Sequence, residues 1–423
     1  MDATATTARP ATIDQPISAG ERLQIVDILR GFALLGILLV NMAIFKAPFG
    51  FGEPAMLDEL PLLDRLAQQA ITLFAEGKFF TLFSLLFGFG FAIQMLRAEQ
   101  RGRPFVGRFA RRLLILLVIG LIHAFLIWYG DILVSYALIG FALLLFRNAR
   151  PRTLLIWAAL LLLGMTVIVG GLIALLEFAR AVPGVAEQMR QVEQQTIAQF
   201  EQQFAEDQRV YGSGSYAEIV AYRARFMPIV YFSLLFQWPP VLAMFLLGLY
   251  AGKRGILHDP GAHLALLRRV RFWGLTLGLA LSLLVVILQA RLSLLGGAMA
   301  PLLNFSIAGP VLSLGYAATI VLLAQRPAWL RRLTPLAPVG RMALTNYLLQ
   351  SLIATTIFYG YGLGLYGRWG AATGLLLSLA IYALQIPFSN WWLSRFRFGP
   401  LEWLWRSLTY GRAQQMRLAP ATR

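Results

Sequence analysis

Cysteine is absent from the 423 residues, which excludes disulfides, thiolate metal sites and a cysteine nucleophile and leaves the redox compartment unread. Charge is scarce as well: Asp, Glu, Lys and Arg make up 13% of the chain against 58% hydrophobic residues, at a mean hydropathy of +0.66. So little polar surface cannot coat a soluble globule of this length, and a bilayer must act as the solvent. Residues 1–24 lack an apolar core and carry Asp2, Asp14 and two prolines. They are therefore expected to be a mobile cytoplasmic tail and not a cleavable signal peptide, the first membrane helix serving as its own insertion signal.

What the chain does contain is a series of apolar runs of about 20 residues, each long enough to cross ~30 Å of hydrocarbon as a helix. They do not alternate, which favours helices over a barrel. The expected spans are 26–46, 79–97, 112–129, 131–147, 153–178, 229–251, 272–290, 302–324, 342–360 and 370–393. An all-α polytopic bundle of about ten helices follows, with 25–180 holding the first five and 229–398 the second five. Between them, 181–228 is polar, with Val185, Met189, Val192, Thr196, Phe200 and Phe204 at helical spacing. It is expected to form an outer cap of an amphipathic helix, a Gly212-Ser213-Gly214 turn and a second helix, either packed on the bundle or acting as a lid or acceptor-binding element. Residues 399–423 form a cytoplasmic C-terminal tail.

The net charge of +17 would suggest nucleic acid in a soluble protein, but its placement marks sidedness instead. Alternating the ten spans puts 27 of the 37 Lys and Arg, and only 7 of the 20 Asp and Glu, on the side of the two termini. That is a positive-inside pattern with both ends in the cytoplasm and no nucleic-acid partner.

Polar and ionisable side chains are costly within a bilayer, so each one there is a candidate site. His123, 11 residues after Arg112, lies ~16 Å along its helix. An imidazole at that depth can take and return a proton near neutrality, with Asp131 to orient it. The alternatives are a neutral histidine bonded between helices and an aspartate capping the next helix. In the first span Asp27 and Arg30 can pair at i, i+3, and Asn41 returns to within about 20° of Arg30 on the helical wheel. That stripe either binds a polar ligand or simply anchors the helix. In GRMALTNYLLQS, Asn346 and Gln350 stand at i, i+4 with Tyr347 and Ser351 repeating that spacing beside them, open to ligand binding or to interhelical hydrogen bonds. The basic stretch with Arg108, Arg111 and Arg112 could hold the phosphates of a nucleotide-containing donor, although topology alone accounts for its charge. Glu76 with Lys78 reads as an exposed ion pair at the outer boundary, and Glu177 with Arg180 as an i, i+3 pair.

Other patterns carry no function. Gly362-Leu363-Gly364-Leu365-Tyr366-Gly367 spells GxGxxG but follows a membrane helix, so the strand-turn-helix setting of a dinucleotide site is missing and a glycine-rich turn is expected. His258 and His263 flank a turn without further ligands, and no metal site is expected.

Five blocks, DILRGFALLGILLVNM, EGKFFTLFSLLFGFGF, GLIHAFLIWYGDILVSYALIG, GRMALTNYLLQS and GPLEWLWRSLTYG, together resemble the YeiB-type family of bacterial inner-membrane proteins, in the same order over nearly the whole chain. That family is similar, more remotely, to transmembrane acyltransferases such as heparan-α-glucosaminide acetyltransferase and the sugar O-acyltransferases. The resemblance implies an intramembrane catalytic histidine, matched by His123, and an Arg-Gly motif in the first helix, matched by Arg30 and Gly31. It also implies a multi-pass protein of the bacterial cytoplasmic membrane, with acyl-CoA as co-substrate.

The expected function is transfer of an acyl group from cytoplasmic acyl-CoA to a hydroxyl or amine at the outer side. His123 would act as base or acyl carrier, Asp131 as its orienter, and Asn41 or Asn346 as oxyanion donors. The partners would be membrane lipids and a small-molecule, glycan or lipid acceptor, with a homodimer left open. The alternative is a transporter or lipid flippase. Against proton coupling, Asp27, Asp131 and Glu177 all lie near helix ends and none is placed mid-span.

Overall fold

In hydrocarbon, an apolar run can satisfy its backbone only by local hydrogen bonds. The computed structural model describes residues 23–47 and 61–418, and these are helical almost throughout. The longer helices are α1 Gln24–Lys46, α2 Leu62–Phe74, α3 Lys78–Gln100, α4 Val106–Ile122, α5 Leu133–Leu145, α6 Pro151–Ala181, α7 Pro183–Ser213 and α8 Tyr216–Leu234. They continue as α9 Trp238–Lys253, α10 Leu264–Arg291, α11 Gly309–Ala324, α12 Ala343–Phe358, α13 Ala371–Leu393 and α14 Pro400–Tyr410. Among the described residues the sole β feature is a bridge between Phe396 and Arg417.

Each expected apolar segment falls on a helix. Among the described residues, eight helical stretches are long and apolar enough to cross a membrane, two of them by joining α2 with α3 and α8 with α9, while the apolar α5 and α12 are shorter. The chain is an all-α polytopic membrane bundle. Leu160 and Val167 on α6, Phe272 on α10 and Leu384 on α13 stay open on its perimeter, as lipid-facing side chains should. The expected tail at 1–24 lies outside the described residues except for its last two positions.

Lipid tails are as apolar as leucine, so helices associate here through close packing of small residues. In Gly248-Leu-Tyr-Ala-Gly252 on α9, a Cβ on Gly248 would stand 2.0 Å from the Leu85 carbonyl oxygen of α3, and one on Gly252 2.3 Å from Ala92 Cβ. From the other side, a Cβ on Gly88 would come 2.0 Å from the Phe245 carbonyl oxygen. Gly274 and Gly278 of α10 lie in the same way against Gly315 and Leu312 of α11.

Three expected surface features are resolved differently. Lys78 is fully buried, its ammonium donating to the Thr72 carbonyl (2.7 Å) and Asn304 Oδ1 (3.0 Å). Glu76 and Lys78 still act on each other electrostatically, but the pair is not exposed: Lys78 also ties the α2–α3 turn to the π-turn Asn304–Ala308, which brings Asn304 in from 226 residues away. Glu177 and Arg180 do not pair with each other. Glu177 Oε1 accepts from the Ser293 backbone (2.9 Å) and hydroxyl (2.6 Å), whereas Arg180 bonds Glu193 (3.0 Å) of α7. Partners across the chain outcompete a marginal i, i+3 pair. The polar segment forms α7 and the start of α8 with the break at Gly214, as expected, but its apolar stripe from Val185 to Phe204 is not buried: the buried residues of α7 are only Val210 and Tyr211 at its C-terminal end.

The C-terminal segment is not loose. α14 lies against the start of α12, and Glu402 caps it: Oε1 accepts from the backbone N–H of Leu344 (2.7 Å) and Thr345 (3.0 Å), and Oε2 from the Thr345 hydroxyl (2.6 Å). Burial pushes this carboxyl up, and the donors of Thr345 and Leu344 pull it back. Glu402→Ala strands these donors at a buried helix start, so we expect a loss of about 2–4 kcal/mol, read as a lowered Tm of the detergent-solubilised protein. An unchanged Tm would show that water replaces the cap.

Candidate functional site

α4 does not end as an ordinary helix. From His123 to Ile127 it widens into a π-turn, closed by the Trp128 N–H donating to the His123 carbonyl at 2.8 Å. The chain then turns through Gly130, where a Cβ would strike the Trp128 ring at 2.3 Å, and enters α5. Asp131 sits at that entry. One of its oxygens accepts from the Val134 N–H (2.8 Å), capping α5, and the other lies 2.8 Å from His123 Nδ1. The two readings of Asp131, as cap and as orienter, therefore hold together.

The other ring nitrogen, Nε2, lies 2.9 Å from the hydroxyl of Ser351 on α12. An ionised Asp131 accepts from Nδ1–H and leaves Nε2 as the acceptor, so the Ser351 hydroxyl donates to it. That hydroxyl also has the Tyr347 carbonyl at 3.3 Å as a second acceptor, free to take its proton whenever Nε2 is protonated. Ser351, His123 and Asp131 thus form a linear relay of the Ser-His-Asp type. His123 and Ser351 are fully covered and Asp131 is 2% exposed. Trp128 and Tyr347 flank the imidazole at 6.2 and 5.2 Å between ring centroids, and the Trp128 indole N–H is buried without a partner among the described residues.

Other candidates are placed elsewhere. Asn346 donates to the Val339 carbonyl (3.1 Å) and Ser389 (3.0 Å), and Gln350 donates to Gln385 Oε1 (2.8 Å), while Gln385 Nε2 donates to the Asn346 carbonyl (3.0 Å). These side chains tie α12 to α13 on another face from Ser351. Asp27 and Arg30 pair at 3.3 Å as expected, at the opposite end of α1 from Asn41, which is half-buried; neither end is hydrogen-bonded to His123. Arg108 and Arg112 line a cavity of about 60 Å³ together with Arg97, Arg101, Arg103 and Tyr410, while Arg111 is exposed and does not line it. Arg112 also stacks on Trp405 of α14 at 3.7 Å.

Sequence reasoning overlooked two residues. Ser351 was visible only as part of a polar stripe, since no local motif marks it as a nucleophile. Arg223 of α8, 1% exposed, sits in the polar outer segment beside Arg225 and carries no distinguishing local signal. Linked to the relay through Trp128, whose ring neighbours both His123 and Tyr129, the rings of Tyr129, Tyr211, Tyr359 and Tyr366 form a connected layer with neighbouring centroids 4.9–6.1 Å apart. The glycine-rich segment supplies Tyr366 to it and is a turn as expected, with Gly364 and Gly367 at positive φ.

Comparison with known proteins finds relatives over nearly the whole length. Residues 251–412 match the family described as "Protein of unknown function (DUF418)". The chain is 40% identical to the uncharacterized protein YxaH of Bacillus subtilis over 415 residues, 94% of this chain and 96% of that protein. It is 32% identical to an uncharacterized 39.9 kDa protein from the amylase 3' region of Bacillus acidopullulyticus, with the same coverage. Against the uncharacterized protein YeiB of Escherichia coli the figure is 33% over 92% of this chain and 96% of that protein. With full-length identity at this level, the chain belongs to the YeiB-like DUF418 family.

Proposed function

We propose that this protein is an acyltransferase of the bacterial cytoplasmic membrane, with Ser351, His123 and Asp131 as its reacting centre. The observation that carries the reading is the unbroken hydrogen-bonded relay from Ser351 through both nitrogens of His123 to Asp131. Both termini lie in the cytoplasm, the side that the arginine distribution favours. The donor is acyl-CoA, whose phosphates suit the arginines around Arg108 and Arg112, and its thioester arm runs ~16 Å along α4 to the relay.

In the first half-reaction the Ser351 Oγ attacks the thioester carbonyl while His123 Nε2 takes the hydroxyl proton. The carbon–sulfur bond breaks, His123 returns that proton to the departing thiolate, and an ester remains on Ser351. In the second, His123 takes the proton of an acceptor hydroxyl or amine, whose oxygen or nitrogen attacks that ester, and Ser351 leaves with the proton handed back. Asp131 holds the required tautomer and stabilises the imidazolium in both steps. The Trp128 indole N–H is a donor for the developing oxyanion. Because the relay is covered, reaction requires the tyrosine layer or α12 to move aside.

A second reading, an inert joint between α4, α5 and α12, is favoured by the full burial of His123 and the satisfaction of both its nitrogens. The two are separated without knowing the acceptor. Full-length protein in detergent is mixed with labelled acetyl-CoA, and CoA thiol release and protein-bound label are followed. We expect a burst in the wild type, and a rate reduced by about 10²–10⁴-fold in His123→Ala. Equal bursts in both would leave the joint as the function of His123.

A further inference from the structure

Among the described residues, Arg223 is a buried cation without a counterion. Its Nη1 donates to the Phe125 carbonyl within the π-turn that carries His123 (3.2 Å). Its Nε and Nη2 are buried and have no hydrogen-bond partner among the described residues, and no carboxylate pairs with it there. The acid on the neighbouring helix, Asp207, is engaged by the Tyr222 hydroxyl and by Gln203 (2.9 Å), and burial pushes its carboxyl up, weakening it as a counter-charge. An unpaired guanidinium held out of water is strongly unfavourable unless something completes it.

The idle atoms point to what that is. Nε–H and Nη2–H form one of the two edges of a guanidinium whose N–H bonds run parallel and grip a carboxylate or phosphate; the other edge includes Nη1, already bonded to Phe125. Close by, the hydroxyls of Tyr359 and Tyr366 are likewise buried and have no partner among the described residues. Their rings both pack on Tyr211, at 4.9 and 5.4 Å; Arg223 lies within hydrogen-bonding reach of the Tyr211 hydroxyl and near enough to Tyr359 to act on it electrostatically, which leaves its Nε–H and Nη2–H edge open. All these groups can donate, and the charge among them is positive.

We infer that Arg223, with the hydroxyls of Tyr359 and Tyr366, binds an oxyanion, a carboxylate or phosphate group, at the outer end of the bundle against the His123 turn. On the acyl-transfer reading, and resting on it, that oxyanion belongs to the acceptor, which is then an acidic glycan or a phosphate-bearing polyol or lipid.

The test measures binding alone. Full-length protein in phosphatidylcholine nanodiscs is titrated calorimetrically with glycerol phosphate, glucuronate, and the uncharged glycerol and glucose. Saturable binding of at least one anionic probe and none of the uncharged ones is expected, weakened about tenfold or more in Arg223→Met and less in Arg223→Lys, which keeps the charge but not the fork. Tyr359→Phe and Tyr366→Phe remove single hydroxyls without emptying the core and should each weaken binding several-fold, which keeps the test decisive if Arg223→Met does not fold. Repeating the titration in phosphatidylglycerol nanodiscs identifies the source: competition marks a lipid headgroup, its absence a soluble acceptor. Failure of both anions to bind, or equal binding by all the folded variants, overturns the site. Binding without any CoA release removes the acyl-transfer reading and leaves the anion site standing, and the converse result separates them in the other direction.

Discussion

Ser351→Ala is expected to abolish protein-bound acyl label and to slow CoA release about 10²–10⁴-fold, while leaving the Tm close to that of the wild type. The hydroxyl is small and fully covered, and its loss removes one bond from His123 without opening a large cavity. Because Ser351 and His123 act on the same proton, their effects should not add: the double substitution should be about as slow as the worse single one. A route in which His123 activates the acceptor directly, with no ester on the protein, predicts the opposite for Ser351→Ala, namely near-normal transfer and no label in any variant. Peptide mapping of the trapped label distinguishes the two. Asp131→Asn adds a further check. It keeps the α5 cap largely in place while presenting an amide that can favour the wrong imidazole tautomer, so it should lower the rate more than the stability.

The second large effect concerns folding. Gly248→Val is expected to prevent α3 and α9 from closing, with a loss of monodisperse protein on size exclusion and a sharply lowered Tm. The atom a new Cβ would meet is a backbone oxygen, at 2.0 Å, so no rotamer change relieves it and one helix must shift along its whole length. Overpacking of this kind typically costs about 1–3 kcal/mol even where side chains can yield. A matched control lies on α6, where a Cβ on Gly164 or Gly170 meets nothing within 4 Å. Alanine there should be neutral or slightly stabilising, since it raises helix propensity at no steric cost. Similar behaviour of Gly248→Val and Gly164→Ala would mean that α3 and α9 do not cross at these glycines.

The GxxxG pattern behind that crossing was readable in the chain, but its partner was not. Gly248 and Gly252 could have faced lipid, as Gly164 and Gly170 do. The relay shows the same division. His123 and Asp131 are eight residues apart and joined by a turn, so their pairing was within reach of local reasoning. Ser351 arrives from 228 residues away, and Asn346, on the same helix and more polar, was an equally reasonable choice until the rotation of α12 gave it to Ser389 instead. Arg180 and Glu193 show why neighbours mislead: a charge at i, i+3 is always available, and a better one across a turn displaces it.

The sequence by itself determined that this is a membrane bundle, where its helices run and which end is basic. Those properties depend on apolar length and on charge counted along the chain, quantities that need no partner. Only the tertiary structure decided which polar groups meet, because a hydrogen bond between helices depends on their rotation and depth, set by close contacts such as that of Gly248 with Leu85, far apart in the chain. The Ser351–His123–Asp131 relay and the unpaired edge of Arg223 belong to that second kind.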